Sequence, residues 1–103
     1  MTIHEQEVSK SEYPDRWSKD LMKGSSGFSI GVAKYHATEF GAPQVHEDQE
    51  AVYVVSGVGE IRIGDAVHAI RPGSAALIPP NTEHATRRTG DASVKVVYAH
   101  GAV

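Results

Sequence analysis

The chain has 103 residues, 40% of them hydrophobic, which is enough for one domain with a single thin core. A net charge of −3 and a pI near 6.0 argue against nucleic acid as a partner, because binding phosphate groups requires a basic face. The absence of cysteine excludes disulfides, zinc–thiolate sites and thiol catalysis.

The first 24 residues are polar with isolated apolar side chains, and we expect them to form an arm attached to a domain that spans residues 25–103. Residues 14–23 fit a short helix, because Pro14 suits a first turn and Trp17 and Leu21 are one helical step apart. An extended arm lying across the barrel or a partner subunit fits equally well. The N-terminus lacks the features of a secretory signal, and no apolar stretch could span a bilayer. We therefore expect a cytoplasmic protein without membrane contact.

From Phe28 onward the pattern is typical of β structure. Turn signals separate the predicted strands: Gly64-Asp65 predicts a two-residue hairpin, Arg71-Pro72-Gly73 a type II turn, and Asn81 a residue with positive φ. Short strands with such turns about every eight to twelve residues predict an all-β sandwich or barrel. The predicted strands are residues 28–36, 44–46, 50–55, 60–63, 67–70, 75–78, 84–88 and 93–100.

Possible metal ligands lie in two of these regions. Gln44 and His46 are two residues apart and share a strand face, Glu50 follows across a short loop, and His84 comes directly after a proline-rich turn. Two imidazoles and one carboxylate can hold one face of a divalent ion and leave other positions open. The alternative is that His46, Glu50 and His84 are ordinary solvated residues. Against it, Glu50 heads the most apolar strand, where a buried carboxylate needs a partner.

At these residues the sequence resembles the cupin family of small β-barrels, which are related to jelly rolls. The first cupin motif is His-x-His, three or four residues, Glu, six residues and Gly. The second is Gly, five residues, Pro-x-Gly, two residues, His, three residues and Asn. The corresponding residues here are Gln44-Val45-His46, Glu50 and Gly57 for the first motif, and Gly73, Pro79-Pro80-Asn81, His84 and Arg88 for the second. The resemblance covers residues from about 30 to 98.

The resemblance implies a single cupin-type β-barrel, a homodimer, and a divalent metal site with His46, Glu50 and His84 as ligands. Gln44 stands where the family has its first histidine. Its amide oxygen could be a weaker fourth ligand, hold a metal-bound water or face a substrate. Donors of this kind accept iron, manganese, nickel or zinc, so the identity of the ion stays open.

Two more residues are candidates for a catalytic role. Arg88 replaces the final motif asparagine and would face inward with His84 on a regular strand, where it would favour a small ligand carrying a carboxylate or phosphate. A structural ion pair, or a bulge that turns Arg88 to solvent, is the alternative. His36 could act as a general acid or base at the cavity mouth, although such a position is more often solvated. His4, His68 and His100 have no supporting context.

The preferred functional interpretation is a metal-dependent enzyme that acts on a small organic substrate, as an oxygenase or as an isomerase or lyase. Loss of one motif histidine with retention of the other ligands is typical of a site modified for a task. One alternative is a non-catalytic module that binds a small organic acid or sugar. Another is a metal that only stabilises a small barrel.

Overall fold

The computed structural model describes all 103 residues and is almost entirely β. Its only helical segment is a single 3₁₀ turn, and no helix is long and apolar enough to cross a membrane. The predicted all-β fold is therefore confirmed. The elements in chain order are the 3₁₀ turn Glu5–Glu7 and strands β1 Ser11–Glu12, β2 Arg16–Lys23, β3 Ser29–Tyr35, β4 Gln49–Ser56, β5 Gly59–Ile63, β6 Ala66–Ile70, β7 Ala75–Ile78, β8 His84–Arg88 and β9 Val94–Gly101.

The strands form two antiparallel sheets with the core between them. The larger sheet has the order β1-β2-β3-β9-β4-β7, and the smaller has the order β6-β5-β8. Alternation along each strand sends one set of side chains inward, so Val94, Val96 and Tyr98 of β9 are all buried. The buried cluster consists of Ala33, Tyr35, Val52, Val54, Ile61, Ile70, Ile78, Val94, Val96 and Tyr98.

Of the two alternatives for residues 14–23, the helix is wrong, because Arg16–Lys23 is extended as strand β2 and pairs along its length with β3. A spacing of four fits one face of a helix, but an even spacing also fits one face of a regular strand, so this spacing does not distinguish the two. The turn after β2 decides between the two. Ser26 and Gly27 have positive φ, and the Gly24 amide donates to the Phe28 carbonyl, so the chain reverses into a hairpin.

The later strands lie within about two residues of their predicted bounds, with one exception. Residues 44–46 form no strand, and only Gln44 makes a single bridge, to His84. Pro43 lies before this bridge, and the chain bends at Glu47 and Asp48. The three predicted turns are present: Gly64, Gly73 and Asn81 have φ of 59°, 93° and 56°.

Candidate metal centre

Three predicted ligands meet where the β4 end of the larger sheet faces β8. His46 lies on the loop before β4, Glu50 is the second residue of β4, and His84 opens β8. Their nearest ligand atoms all lie within 4.8 Å of one another. The Nε2 atoms of His46 and His84 are 3.0 and 3.5 Å from Glu50 Oε1. The structure thus brings together residues that are 38 positions apart in the chain (46 to 84).

His100, to which sequence reasoning gave no role, joins this group. It lies on β9 directly opposite Glu50 of β4, and its Nε2 is 3.4 Å from Glu50 Oε1. Alternation along β9 could have predicted its inward position, because Val94, Val96, Tyr98 and His100 share one face and the first three are buried. A third imidazole therefore reaches the same carboxylate oxygen.

The far nitrogen of each ring is held by oxygen atoms. His84 Nδ1 is 2.9 Å from the Thr82 carbonyl, and His46 Nδ1 is 3.1 Å from the Asp48 carbonyl. The Asp48 carboxylate lies between two rings, with Oδ2 3.1 Å from His100 Nδ1 and Oδ1 2.6 Å from His46 Nδ1. Acceptors at Nδ1 place the proton there and leave the Nε2 lone pair facing inward.

The electrostatics of the site couple Glu50 to the imidazoles. Burial by itself would raise the pKa of Glu50, but the neighbouring imidazoles of His84, His100 and His46 bring that pKa below its usual value. Burial would lower the pKa of His84, but the Glu50 carboxylate 3.5 Å away and the hydrogen bond to the Thr82 carbonyl raise it above the usual value. The carboxylate therefore favours positive charge at the point where the Nε2 atoms converge.

These residues fit a divalent cation. His84 is 3% exposed, and its Nε2 has no hydrogen-bond partner in the protein. Inward-facing lone pairs on neutral imidazoles would repel one another and the carboxylate unless protons or a cation lay between them. Three imidazoles and one carboxylate are ligands that zinc, iron and nickel accept.

Gln44 contacts β8 through its backbone and the cavity through its side chain. Its backbone exchanges two hydrogen bonds with His84, of 2.8 and 3.0 Å, which locks the loop before β4 onto β8. Its side chain lines a cavity together with Glu50 and His100. His100 on the neighbouring strand supplies a third imidazole near Glu50.

Arg88 and His36 do not join the cluster. Arg88 ends β8, four positions after His84, which separates the two residues by about 13 Å along the strand. Its Nε donates to the His36 carbonyl at 2.8 Å and its Nη1 to the Gly90 carbonyl at 2.7 Å. The His36 side chain is exposed, just beyond the end of β3. Arg88 therefore ties backbone segments together at the opposite end of the strand.

A cavity of about 190 Å³ opens beside the cluster on the inner face of the larger sheet. Strand β2 contributes alternate residues to its wall, namely Arg16, Ser18 and Asp20. The Tyr98 hydroxyl donates to Asp20 Oδ1 at 2.7 Å. Burial raises the pKa of Tyr98, and the bond to Asp20 raises it further, so this hydroxyl keeps its proton. The cavity is thus polar and lies next to Glu50 and His100.

Comparison with known proteins places this arrangement in a family. The Cupin domain family matches residues 31–100. Protein SchB of Streptomyces halstedii is 36% identical over 78 residues, which cover 75% of this chain and only 56% of SchB. L-Ectoine synthase of Hahella chejuensis is 29% identical over 89 residues, which cover 82% of this chain and 67% of the synthase. The polyketide cyclase RemF from Streptomyces resistomycificus has the same fold, with a TM-score of 0.80 at 16% identity over 97% of this chain and 78% of RemF.

Proposed function

The chain belongs to the cupin family, and we propose that it is a metal-dependent enzyme whose ion is held by His46, Glu50 and His84, with His100 as a fourth ligand on the neighbouring strand. One observation carries this proposal: three Nε2 atoms lie 3.0 to 3.5 Å from the same oxygen of Glu50. The chemistry such an ion supplies when bound is Lewis-acid polarisation of a substrate oxygen or binding of oxygen.

The protein orients the ligand rings on one side of the centre and provides a cavity on the other. Asp48 holds the His46 ring through its backbone carbonyl and the His100 ring through Oδ2, in each case at Nδ1. Partners of this kind raise the basicity of a ligand and set its orientation. On the other side, the cavity brings a small organic substrate against Glu50 and His100. A cavity that reaches the ligands favours a catalytic site over an ion that only stabilises the barrel.

L-Ectoine synthase is named as an enzyme, and the similarity to it favours a catalytic function over a module that only binds a small molecule. The family does not specify the reaction. Oxygenase and isomerase or lyase chemistry both use an ion with open positions beside a small cavity. The identity of the bound ion directs the choice between them, because iron points to oxygen-consuming substrates and zinc, nickel or manganese to isomerase or lyase substrates.

The test is elemental analysis of untagged protein purified without chelator, beside the variants His84→Ala and His100→Ala. We expect close to one divalent ion per chain in the wild type. We expect loss of the ion in His84→Ala, and affinity lowered at least about tenfold in His100→Ala. His68→Ala is the matched control, because His68 is exposed on β6 of the other sheet.

Metal content that is equal in the wild type and His84→Ala would contradict the site. Metal loss in His84→Ala but not in His100→Ala would restrict the ligands to the three that the sequence predicts. A wild type that stays metal-free after reconstitution with each candidate ion would contradict the proposal as a whole.

We also propose that the protein acts as a homodimer that buries the outer face of its larger sheet. Outward residues of β4, β7 and β9 lie opposite one another in register and are apolar, as in the rows Ala99–Ala51–Leu77 and Val97–Tyr53–Ala75. Leu77 is 63% exposed and Tyr53 53%. An apolar sheet face of this kind favours a second copy, since the same patch on two chains is self-complementary.

A further inference from the structure

Arg16 lines the cavity but has no role in the proposed metal centre. It is the first residue of β2 and lines the same cavity as Glu50 and His100. Its side chain is 15% exposed, so a guanidinium charge is largely withdrawn from water beside the candidate metal centre. Burying a cation in this way is costly unless a partner accepts its hydrogen bonds.

The protein holds Arg16 in place but satisfies it only in part. Its Nη1 donates to Asp15 Oδ1 at 3.0 Å, and this is its only side-chain hydrogen bond. Its guanidinium lies over the Tyr13 ring, 4.1 Å from the centroid, and Asp15 is itself buried. The remaining N–H groups have no protein acceptor. Such a fixed planar group is suited to bidentate binding of a carboxylate.

Other polar groups of the cavity restrict the class of ligand. Asp20 and Glu50 bring negative charge to the wall, and the Tyr98 hydroxyl already donates to Asp20. Arg16 is the only arginine or lysine among the lining residues. The volume of about 190 Å³ is below the range of about 300–1,000 Å³ for pockets that take drug-sized ligands.

We propose that Arg16 binds the carboxylate of a small organic acid whose second oxygen function reaches the metal centre. This inference rests on the proposed function, because that centre supplies the second attachment point. Arg16 and the metal would hold the ligand at its two ends, and Ser18 and Tyr35 also line the cavity. An anionic ligand was one of the alternatives for Arg88, and the proposal assigns such a ligand to a different arginine, on strand β2.

The experiment measures ligand binding to metal-loaded protein by isothermal titration calorimetry. The probes are glycolate, malonate, succinate and 4-hydroxybenzoate, each beside its neutral amide, together with inorganic phosphate. We expect at least one acid to bind while its amide does not. We expect Arg16→Gln to weaken that acid roughly ten- to one-hundred-fold, as loss of a charge-assisted bidentate contact does.

Arg16→Gln keeps an amide N–H for Asp15, so it should fold. Arg16→Lys should recover part of the affinity, because it restores the charge without the planar group. Arg71→Gln is the matched control, since Arg71 is exposed in the turn between β6 and β7. Metal content is measured in every variant.

The outcomes separate the two proposals. Equal acid affinity in the wild type and Arg16→Gln, at equal metal content, would overturn the role of Arg16 and leave the metal site standing. Absence of binding by every acid, or binding of phosphate alone, would also overturn it. Arg16-dependent acid binding by a wild type that never takes up metal would overturn the proposed function and leave the carboxylate site standing.

Discussion

Glu50 and His84 are charged groups that stabilise each other in the metal-free protein. The pKa of Glu50 is lowered in the folded state from 4.5, so its contribution is present above pH 4.5 and is lost as pH falls through the lowered value. The pKa of His84 is raised from 6.5, so its contribution is complete below pH 6.5 and is lost as pH rises through the raised value. Both contributions are therefore present together between pH 4.5 and 6.5.

We predict that the metal-free protein has a higher Tm at about pH 5.5 than at about pH 8. Metal should reverse this order, because a ligand imidazole must be neutral and protons compete with the ion at the lower pH. The measurement is thermal unfolding with and without the ion at both pH values. His84→Gln is the control, and its metal-free Tm should change less between the two pH values. If added metal raised the Tm by the same amount at both pH values, the prediction would be contradicted.

Among the elements, the strands from β3 onward could be predicted because their signals are local. Alternation marks each strand, and Gly64, Gly73 and Asn81 mark the turns through their positive φ. Strand β2 could not be assigned from the spacing of Trp17 and Leu21, because a helix and a strand both place residues four apart on one face. The hairpin turn and the pairing with β3 determine its structure.

Only part of the candidate site was predictable from the sequence. His46, Glu50 and His84 lie in two short motifs, each near a turn, and the motif spacing identifies them. His100 and Arg16 reach the site through the pairing of β9 with β4 and of β2 with β3. These registers depend on contacts between strands that are distant in the chain, so a linear pattern does not reveal them.

Gly31 of β3 leaves room for the Tyr98 ring of β9 to reach β2. A Cβ built at this position would overlap the hydroxyl end of the Tyr98 ring and the Lys19 carbonyl oxygen. That ring crosses β3 to donate to Asp20 of β2. The missing side chain thus allows the Tyr98–Asp20 hydrogen bond.

We predict that Gly31→Ala lowers the free energy of unfolding by about 1–3 kcal/mol, because overpacking displaces the Tyr98 ring. Thermal and denaturant unfolding measure the loss. Gly90→Ala is the matched control. A Cβ at Gly90 would meet only Val58 atoms, at 3.7 Å or more, so its stability should change little. Equal Tm values for the two variants would show that Tyr98 does not depend on Gly31.

At the scale of the whole molecule, one face of the larger sheet covers the core and the other is apolar as well. On the outer face, Lys34 lies opposite Lys95 and Lys19 lies opposite Val32. The apolar rows through Tyr53 and Leu77 form a stripe on the same face. A chain of 11.1 kDa has a thin core, so burying this stripe against a second copy would add stability that depends on concentration.

We predict that the wild type has twice the mass of one chain by light scattering at micromolar concentration, and that Leu77→Glu is monomeric with a lower Tm. A carboxylate at the centre of an apolar interface would be buried without a partner, which opposes association. Val67→Glu is the matched control, because Val67 is 49% exposed but lies on β6 of the smaller sheet. A monomeric wild type, or dissociation caused by Val67→Glu instead, would place the interface elsewhere or exclude it. Since the stripe is on the face opposite the cavity, we expect the monomeric variant to keep its metal.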